Sequence, residues 1–280
     1  MSTATLWQPA PLHDADCLAT GPANRLAAMF DTTIKPLKEG DALPELWHWL
    51  YFLPADRQSA LAADGHPEKG HFLPPVSLPR RMWAASHLLW HSPFRLGEAI
   101  DKTSRVKQVS EKNGRSGKLV FVDVEHHYTA GERKVLTEVH SIVYRERASS
   151  FAAERRNTSN MELPQAQFSQ QIVPDPRLLF RYSALTFNTH RIHYDLDYAR
   201  HSEGYPGLVV HGPLTATLLV NLLRKTVPYI RIHSLQFKAL APLFSPNPIT
   251  LCGRIDGNEV TLWACGPQNL LSMKATALLN

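Results

Sequence analysis

The sequence predicts an α+β fold in which two antiparallel sheets, each wrapped on a central helix, follow one another in one chain. Three observations carry that expectation. At 280 residues the chain is long for one small domain, and two units of roughly 130 to 140 residues fit the usual domain size. Residues 86–106 align without gaps to residues 235–255, sharing Pro93 with Pro242, Ile100 with Ile249 and Arg105 with Arg254, with apolar matches at Leu88/Phe237 and Phe94/Leu243. Each copy of this repeat is followed by segments in which apolar and polar residues alternate, the period of a half-buried strand.

The elements follow in order. In each copy an alternating strand runs into a proline-containing turn and a second strand. The first half continues with strands over Lys118–Tyr128 and Val135–Arg145, joined by the turn Ala130-Gly131-Glu132. Val120, Val122 and Val124 fall on one face of the first of these, and Phe121, Asp123 and Glu125 on the other, as in a sheet covered on one side. The second half repeats the order as Ile249–Ile255, Glu259–Ala264 and Asn269–Leu279, with turns at Asp256-Gly257-Asn258 and Gly266-Pro267. Its central helix starts at Pro213, a favoured first helical residue, and Leu214, Leu218, Leu219, Leu222 and Leu223 form its apolar stripe. The first-half counterpart is the apolar, aromatic Leu43–Leu61, broken by Pro54. One long helix per curved sheet, present twice, is a double hotdog. We place the N-terminal unit at 1–147, a polar, small-residue linker at 148–165 and the C-terminal unit at 166–280.

Composition narrows the functional classes. Apolar residues make up 44% and charged residues 20%, so neither disorder nor a fibrous class is indicated. Cys17, Cys252 and Cys265 are odd in number and lack metal-type spacing, which reads as free thiols in a reducing compartment. The most apolar run, Leu214–Leu223, is interrupted by Thr215, Thr217 and Asn221, and the first thirty residues carry Asp14 and Asp16 without a signal pattern. A soluble, cytoplasmic protein with no membrane partner is the expectation. The 30 basic residues exceed the 25 acidic ones without forming a block, so no nucleic-acid partner is expected.

Phe180–Gly212, FRYSALTFNTHRIHYDLDYARHSEGYPGLVVHG, gathers histidines, an asparagine, an arginine and a His-Gly turn just ahead of the apolar helix. Polar groups converging beside an apolar wall describe a small-molecule site. His190 and His193 are three apart and on a helix would face one way, but no third ligand stands at a standard zinc spacing, and no metal is assigned. Asn188 reads either as a site residue or as a turn residue ahead of the short helix Asp195–Arg200. Arg191 could grip a substrate carboxylate bidentately or pair with Asp195 or Asp197.

From Tyr182 onward the order of Tyr, Asn188, His193 and a His-Gly pair opening a long helix resembles the MaoC-like, (R)-specific enoyl-CoA hydratases, whose core pattern D-x-N-P-x-H is matched here by Asn188, Thr189, His190, Arg191, Ile192 and His193. GDALPELWHWLYFLP, DGHPEKGHFLPPVSLPRRMWAA and HSPFRLGEAI extend the likeness to the branch containing mesaconyl-C4-CoA hydratase and itaconyl-CoA hydratase. The resemblance implies hydration of a branched unsaturated dicarboxylyl-CoA to citramalyl-CoA, with the coenzyme A thioester as substrate and no further cofactor. It also implies that Asn188 stands at the family's catalytic aspartate, that His193 is the catalytic histidine and that Gly212 is the oxyanion glycine.

The chemistry can be argued residue by residue. His193 can take the proton of water, because imidazole titrates near neutral pH. The Asn188 amide can orient that water, and the backbone N–H of Gly212 at a helix start can face the developing enolate. An amide is no base, so a single-base mechanism with one ascending limb in kcat against pH is expected. Arg191 is the cation expected to bind the free carboxylate selectively, and Tyr182, Tyr194, Asp195, His211 and Trp49 are the further candidates for contact with substrate or coenzyme A. The N-terminal unit is expected to support substrate without catalysing. A thioesterase, a 3-hydroxyacyl-thioester dehydratase of fatty-acid metabolism and a non-catalytic acyl-CoA-binding protein are the rival readings. Two units in one chain suit a monomer acting as a pseudo-dimer, or a homodimer.

Overall fold

A computed structural model describes residues 6–32, 35–114, 117–146 and 163–280. The linker expected at 148–165 lies outside the described residues except for its last three. The first half comprises strand β1 (Leu12–Cys17), helix α1 (Thr20–Met29) and strands β2 (Arg80–Trp90), β3 (Ala99–Gly114), β4 (Gly117–Ala130) and β5 (Arg133–Arg145). The second comprises β6 (Phe168–Ile172), α2 (Pro176–Leu185), α3 (Gly212–Thr226), β7 (Ile232–Ala239), β8 (Ile249–Asp256), β9 (Glu259–Cys265) and β10 (Leu271–Leu279).

The strand order is β1-β3-β4-β5-β2-β7-β10-β9-β8-β6. Read outward from the centre, both halves have the same topology, and β2 pairs with β7 from Ala85↔Lys238 to Leu89↔Ser234. The two expected sheets are therefore joined into one ten-stranded antiparallel sheet, the double hotdog made continuous at its seam. The repeat survives as a burial pattern. Leu88 and Phe237, Phe94 and Leu243, and Ile100 and Ile249 are all core residues, whereas Arg105 pairs outside with Glu125 and Arg254 with Asp256.

Local chemistry explains the elements. In β4 the buried Val120, Val122 and Val124 sit on one face and pack with Val76, Leu78 and Tyr144, and Gly131 supplies the positive φ of 57° that the hairpin to β5 needs. Helix α2 opens with Pro176 behind Asp175, whose Oδ1 accepts the Leu178 N–H at 2.8 Å. Helix α3 is buried well beyond its leucine stripe, with Ala216, Thr217 and Val220 also inside, because the sheet curls around it from β6 to β10. Its threonines remain compatible with burial: Thr217 Oγ1 donates to Pro213 O at 2.8 Å and Thr215 Oγ1 to His211 O at 3.2 Å. Truncating the fully buried Leu219 to alanine would cost about 2–5 kcal/mol.

The first half departs from expectation at its centre. Leu43–Leu61 forms no long helix; it carries two 3-10 turns, Trp47–Leu50 and Gln58–Ala60, and the first takes the place in its half that α3 takes in the second. Leu46 and Phe52 bracket it in left-handed conformations, φ 71° and 55°, and Pro54 forbids continuation. Burial of Trp47, Leu50 and Tyr51 takes over the space-filling role. The chain between this turn and β2 is consequently free to cross over the second half, where a turn bounded by the Leu61↔Pro67 bridge reaches the 188–193 segment.

Candidate active site

A cleft of about 1590 Å³ opens where the halves meet. Its walls come from the 64–67 turn, the start of β2, the 186–193 segment and the start of α3. Asn188, His193 and Gly212 all line it, together with His190. The first three are the residues that the sequence nominates for catalysis.

His193 ends a 3-10 turn, Arg191–His193, and only 8% of it is exposed. Its Nδ1 lies 2.7 Å from Val209 O. A carbonyl only accepts, so Nδ1 carries the proton and Nε2 keeps its lone pair. Burial pushes the ring pKa down to about 4, against the opposing pull of the Val209 carbonyl, so His193 is neutral at physiological pH. Gly212 begins α3, where N–H groups lack partners within the helix, and Pro213 behind it has no N–H to compete.

The imidazoles form a row. His66 lies 4.0 Å from His190 between ring centroids, His190 lies 5.3 Å from His193, and His193 stacks on His211 at 3.7 Å with planes 19° apart. Burial holds His211 well below its usual range, and it brings His190 down to about 2 with help from the neighbouring His66. Neutral rings can stack at such spacings; charged ones would repel.

Asn188 follows Phe187, whose φ is 50°, and its Oδ1 accepts the His190 N–H at 3.0 Å. Both readings of this residue coexist, since the turn consumes the carbonyl and the amide NH2 remains as a donor on the cleft wall. His211 lies behind His193 with 1% exposure, its Nε2 2.8 Å from Ser183 Oγ.

The remaining candidates stand away from the cleft wall. Arg191 donates from Nε and Nη2 to Asp195 Oδ2 at 3.0 and 2.8 Å, from Nη1 to Ala63 O at 3.1 Å, and lies over the Tyr198 ring. The structural ion pair thus replaces the expected grip on substrate. Asp195 is committed in turn, its Oδ1 accepting the Tyr198 N–H at 3.0 Å. Tyr194 is half-exposed and donates to Thr189 O. Tyr182 is a core residue with its ring against His211, and Trp49 donates from Nε1 to the buried Glu138 at 3.1 Å.

Two further features complete the wall. Arg80 and Arg81 begin β2 and both line the cleft; Arg80 pairs with Glu203, and the charge of Arg81 lowers the pKa of both His66 and His190. Asp64 and His66 arrive from the first half. The ligand atoms of Asp64, His66 and His190 lie within 4.8 Å of one another. Within the trio Asp64 Oδ2 and His66 Nδ1 are bonded to each other at 3.0 Å, which leaves Nε2 as the other nitrogen of the His66 ring. Burial favours protonation of the Asp64 carboxyl, but its hydrogen bonds with His66 win and hold it well below the carboxylate range.

The family described as hydroxyacyl-thioester dehydratase type 2 matches residues 46–245. The mesaconyl-C(4)-CoA hydratase of Chloroflexus aurantiacus is 45% identical over 239 residues, covering 85% of this chain and 84% of that protein. Among solved structures, HtdX of Mycobacterium tuberculosis superposes with a TM-score of 0.66 at 17% identity, covering 95% of this chain and 99% of that one. Rv0216 of the same organism, described as a double hotdog, gives 0.58 at 12% identity over 98% and 97% of the two chains. The last two bear on the fold alone.

Proposed function

This chain belongs to the hydroxyacyl-thioester dehydratase type 2 family, and from that premise we propose that it is a hydro-lyase adding water to an unsaturated acyl-CoA. The acyl group is a branched dicarboxylyl chain of the mesaconyl-C4 or itaconyl kind, and the product is citramalyl-CoA. The single observation that carries the reading is a buried, neutral imidazole with a free Nε2, His193, on the same cleft wall as the helix-start N–H of Gly212.

Each part has a task. His193 Nε2 removes a proton from water as the oxygen bonds to Cβ. In a mesaconyl-C4 ester, whose double bond is conjugated with the thioester, the thioester oxygen gains charge as the π electrons shift, and the Gly212 N–H, backed by the positive end of α3, stabilises it; an itaconyl ester, its double bond one carbon further out, also needs a proton moved. The Asn188 amide donates a hydrogen bond that orients substrate or water. A free carboxylate on the acyl chain requires a cation, and Arg81 supports that role better than Arg191, since it borders the cleft while Arg191 is spent on Asp195.

The test is a panel of CoA esters, mesaconyl-C4, itaconyl, crotonyl and a medium-chain enoyl, assayed with wild type and His193→Ala. Loss of enoyl absorbance on the dicarboxylyl esters, abolished by the substitution, supports the reading. Release of free coenzyme A would make the protein a thioesterase instead.

A further inference from the structure

The Asp64-Gly65-His66 turn is held against the catalytic segment by contacts from both sides. Arg191 N donates to Asp64 O at 2.9 Å, Thr189 Oγ1 donates to Gly65 O at 2.5 Å, and Arg191 Nη1 holds Ala63 O. Gly65 has a φ of +90°, and a Cβ there would sit 1.9 Å from the Thr189 carbonyl oxygen, so no larger residue permits this approach. Within the turn Asp64 accepts twice from the same residue, the His66 backbone N–H at 2.9 Å on Oδ1 and the Nδ1–H at 3.0 Å on Oδ2. The ring is thereby fixed with Nε2 as its remaining nitrogen, on the wall that His190 and His193 share.

We propose that His66, oriented by Asp64, is a second proton-transfer residue of the hydration, with Asp64 as its positioning residue; the proposal rests on the hydratase reading. Adding water across a conjugated bond takes a base for the oxygen and an acid for Cα. Asn188, where the resemblance places an aspartate, can be neither. Of the four imidazoles in the row, His66 is the one hydrogen-bonded to a carboxylate, the partner that stabilises an imidazolium; His193 and His211 face a carbonyl and a hydroxyl.

Water gives one proton to His193 Nε2 while its oxygen bonds to Cβ, and the electron pair of the double bond passes to the thioester oxygen. The enolate returns that pair to Cα, which takes the Nε2 proton of protonated His66. His193 then releases one proton to solvent and His66 regains one. The groups facing His66 are Asp64 on its own turn, His190 and His193 on the catalytic segment, Lys69 just beyond the turn and Arg81 on β2. Burial, Arg81 and Lys69 hold the ring below its usual range against the pull of Asp64. A substrate carboxylate seated on Arg81 cancels part of that opposition, so a dicarboxylyl thioester itself favours the charged acid.

The deciding experiment is kcat against pH for mesaconyl-C4-CoA hydration by wild type, Asp64→Asn, Asp64→Glu and His66→Gln, each checked for folding by circular dichroism. The expected wild-type profile has two limbs, ascending with His193 and descending with His66, in place of the single limb expected from the sequence. His66→Gln loses the descending limb and about 10²–10⁴-fold in kcat. Asp64→Asn moves that limb to lower pH by about one unit or more, and Asp64→Glu restores most of the shift. A limb indifferent to Asp64, or His66→Gln within about threefold of wild type, overturns the proposal. So does a stoichiometric divalent metal whose removal by chelation abolishes activity, which would turn Asp64, His66 and His190 into ligands. A wild type that hydrates none of the thioesters removes the hydratase reading, and with it the reaction this pair would serve. A wild type that hydrates them with a single Asp64-independent limb removes the pair alone.

Discussion

Each half of the molecule buries a histidine cluster, and the two are built on opposite principles. In the first half Glu138 is fully buried and sits at the centre: His48 Nε2 lies 3.0 Å from Oε2, Trp49 donates to Oε1 at 3.1 Å, and His140 Nε2 lies 2.6 Å from Oε1. The network runs on from His140 Nδ1 to His126 Nε2 at 3.3 Å, and from His126 Nδ1 to Ser104 Oγ at 2.7 Å. At the cleft the centre is neutral; His193 is held by a carbonyl, His211 by a hydroxyl, and the carboxylate, Asp64, reaching over from the first half, stands at the end of the row. A central carboxylate consumes donors and locks its neighbours in place, whereas a carbonyl fixes one ring nitrogen and leaves the other reactive. The first arrangement suits a structural role, and the second leaves a ring nitrogen available for the proposed chemistry.

The sharpest way to break that contrast is to remove one member of each cluster. His193→Ala should lower kcat by on the order of 10²–10⁴-fold, read in a steady-state hydration assay. Glu138→Gln should act on stability instead, because uncoupling a buried charged network costs about 3–5 kcal/mol. In a chain of this size that corresponds to roughly 6–15 °C in Tm, with kcat per folded molecule near wild type. If Glu138→Gln lost activity without losing Tm, the first-half cluster would be catalytic and the division would be wrong.

Acidification separates the clusters without mutation. A buried neutral histidine has a folded pKa below its unfolded value, so the unfolded state binds protons first as pH falls. Stability tied to His193 is therefore complete above about pH 6.5 and is lost from there down to about 4. His190 and His211 erode it in the same direction. Glu138 is opposed by burial yet held well below the carboxylate range by His140 and His48, so its contribution is intact above about pH 4.5 and lost only further down. Thermal melts from pH 8 to 3 should accordingly show Tm falling in two windows, and Glu138→Gln should flatten the lower one. A lower window unchanged in that variant would take Glu138 out of the account.

Much of this was legible in the sequence, and what was not has a common cause. Period-two alternation located β4 and β5 to within two residues because one face of each is apolar, and a leucine stripe behind Pro213 located α3. The same alternation places His126 on the face of Val122 and Val124, and Glu138 and His140 on that of Tyr144, so polar residues on an apolar strand face were the available sign of the first cluster. Asn188, His193 and Gly212 meet because they flank one turn and one helix start, where spacing along the chain determines spacing in space. Arg191, Tyr194 and Asp195 are equally close in sequence, but a 3-10 turn directs them outward, and no periodicity reports that. Asp64 and His66 lie more than a hundred residues from the motif, and only the loss of the first-half helix sends their turn there.

Within the cleft the comparison turns to two arginines. Arg81→Ala should raise KM for a dicarboxylyl thioester by about 10–100-fold, the worth of one charge-assisted hydrogen bond away from bulk water, while leaving crotonyl-CoA within about threefold.

The smallest effect belongs to Arg191. Its guanidinium is exposed and its partner Asp195 stands four residues on, an arrangement that contributes little in water. Besides its place over the Tyr198 ring it bonds to Ala63 O, which steadies the 63–66 turn whichever acyl chain is bound. Arg191→Ala should therefore lower kcat/KM by less than about threefold, and equally for mesaconyl-C4-CoA and crotonyl-CoA. A loss confined to the dicarboxylyl ester would return the carboxylate to Arg191, and would require the Asp195 pair to open when substrate binds.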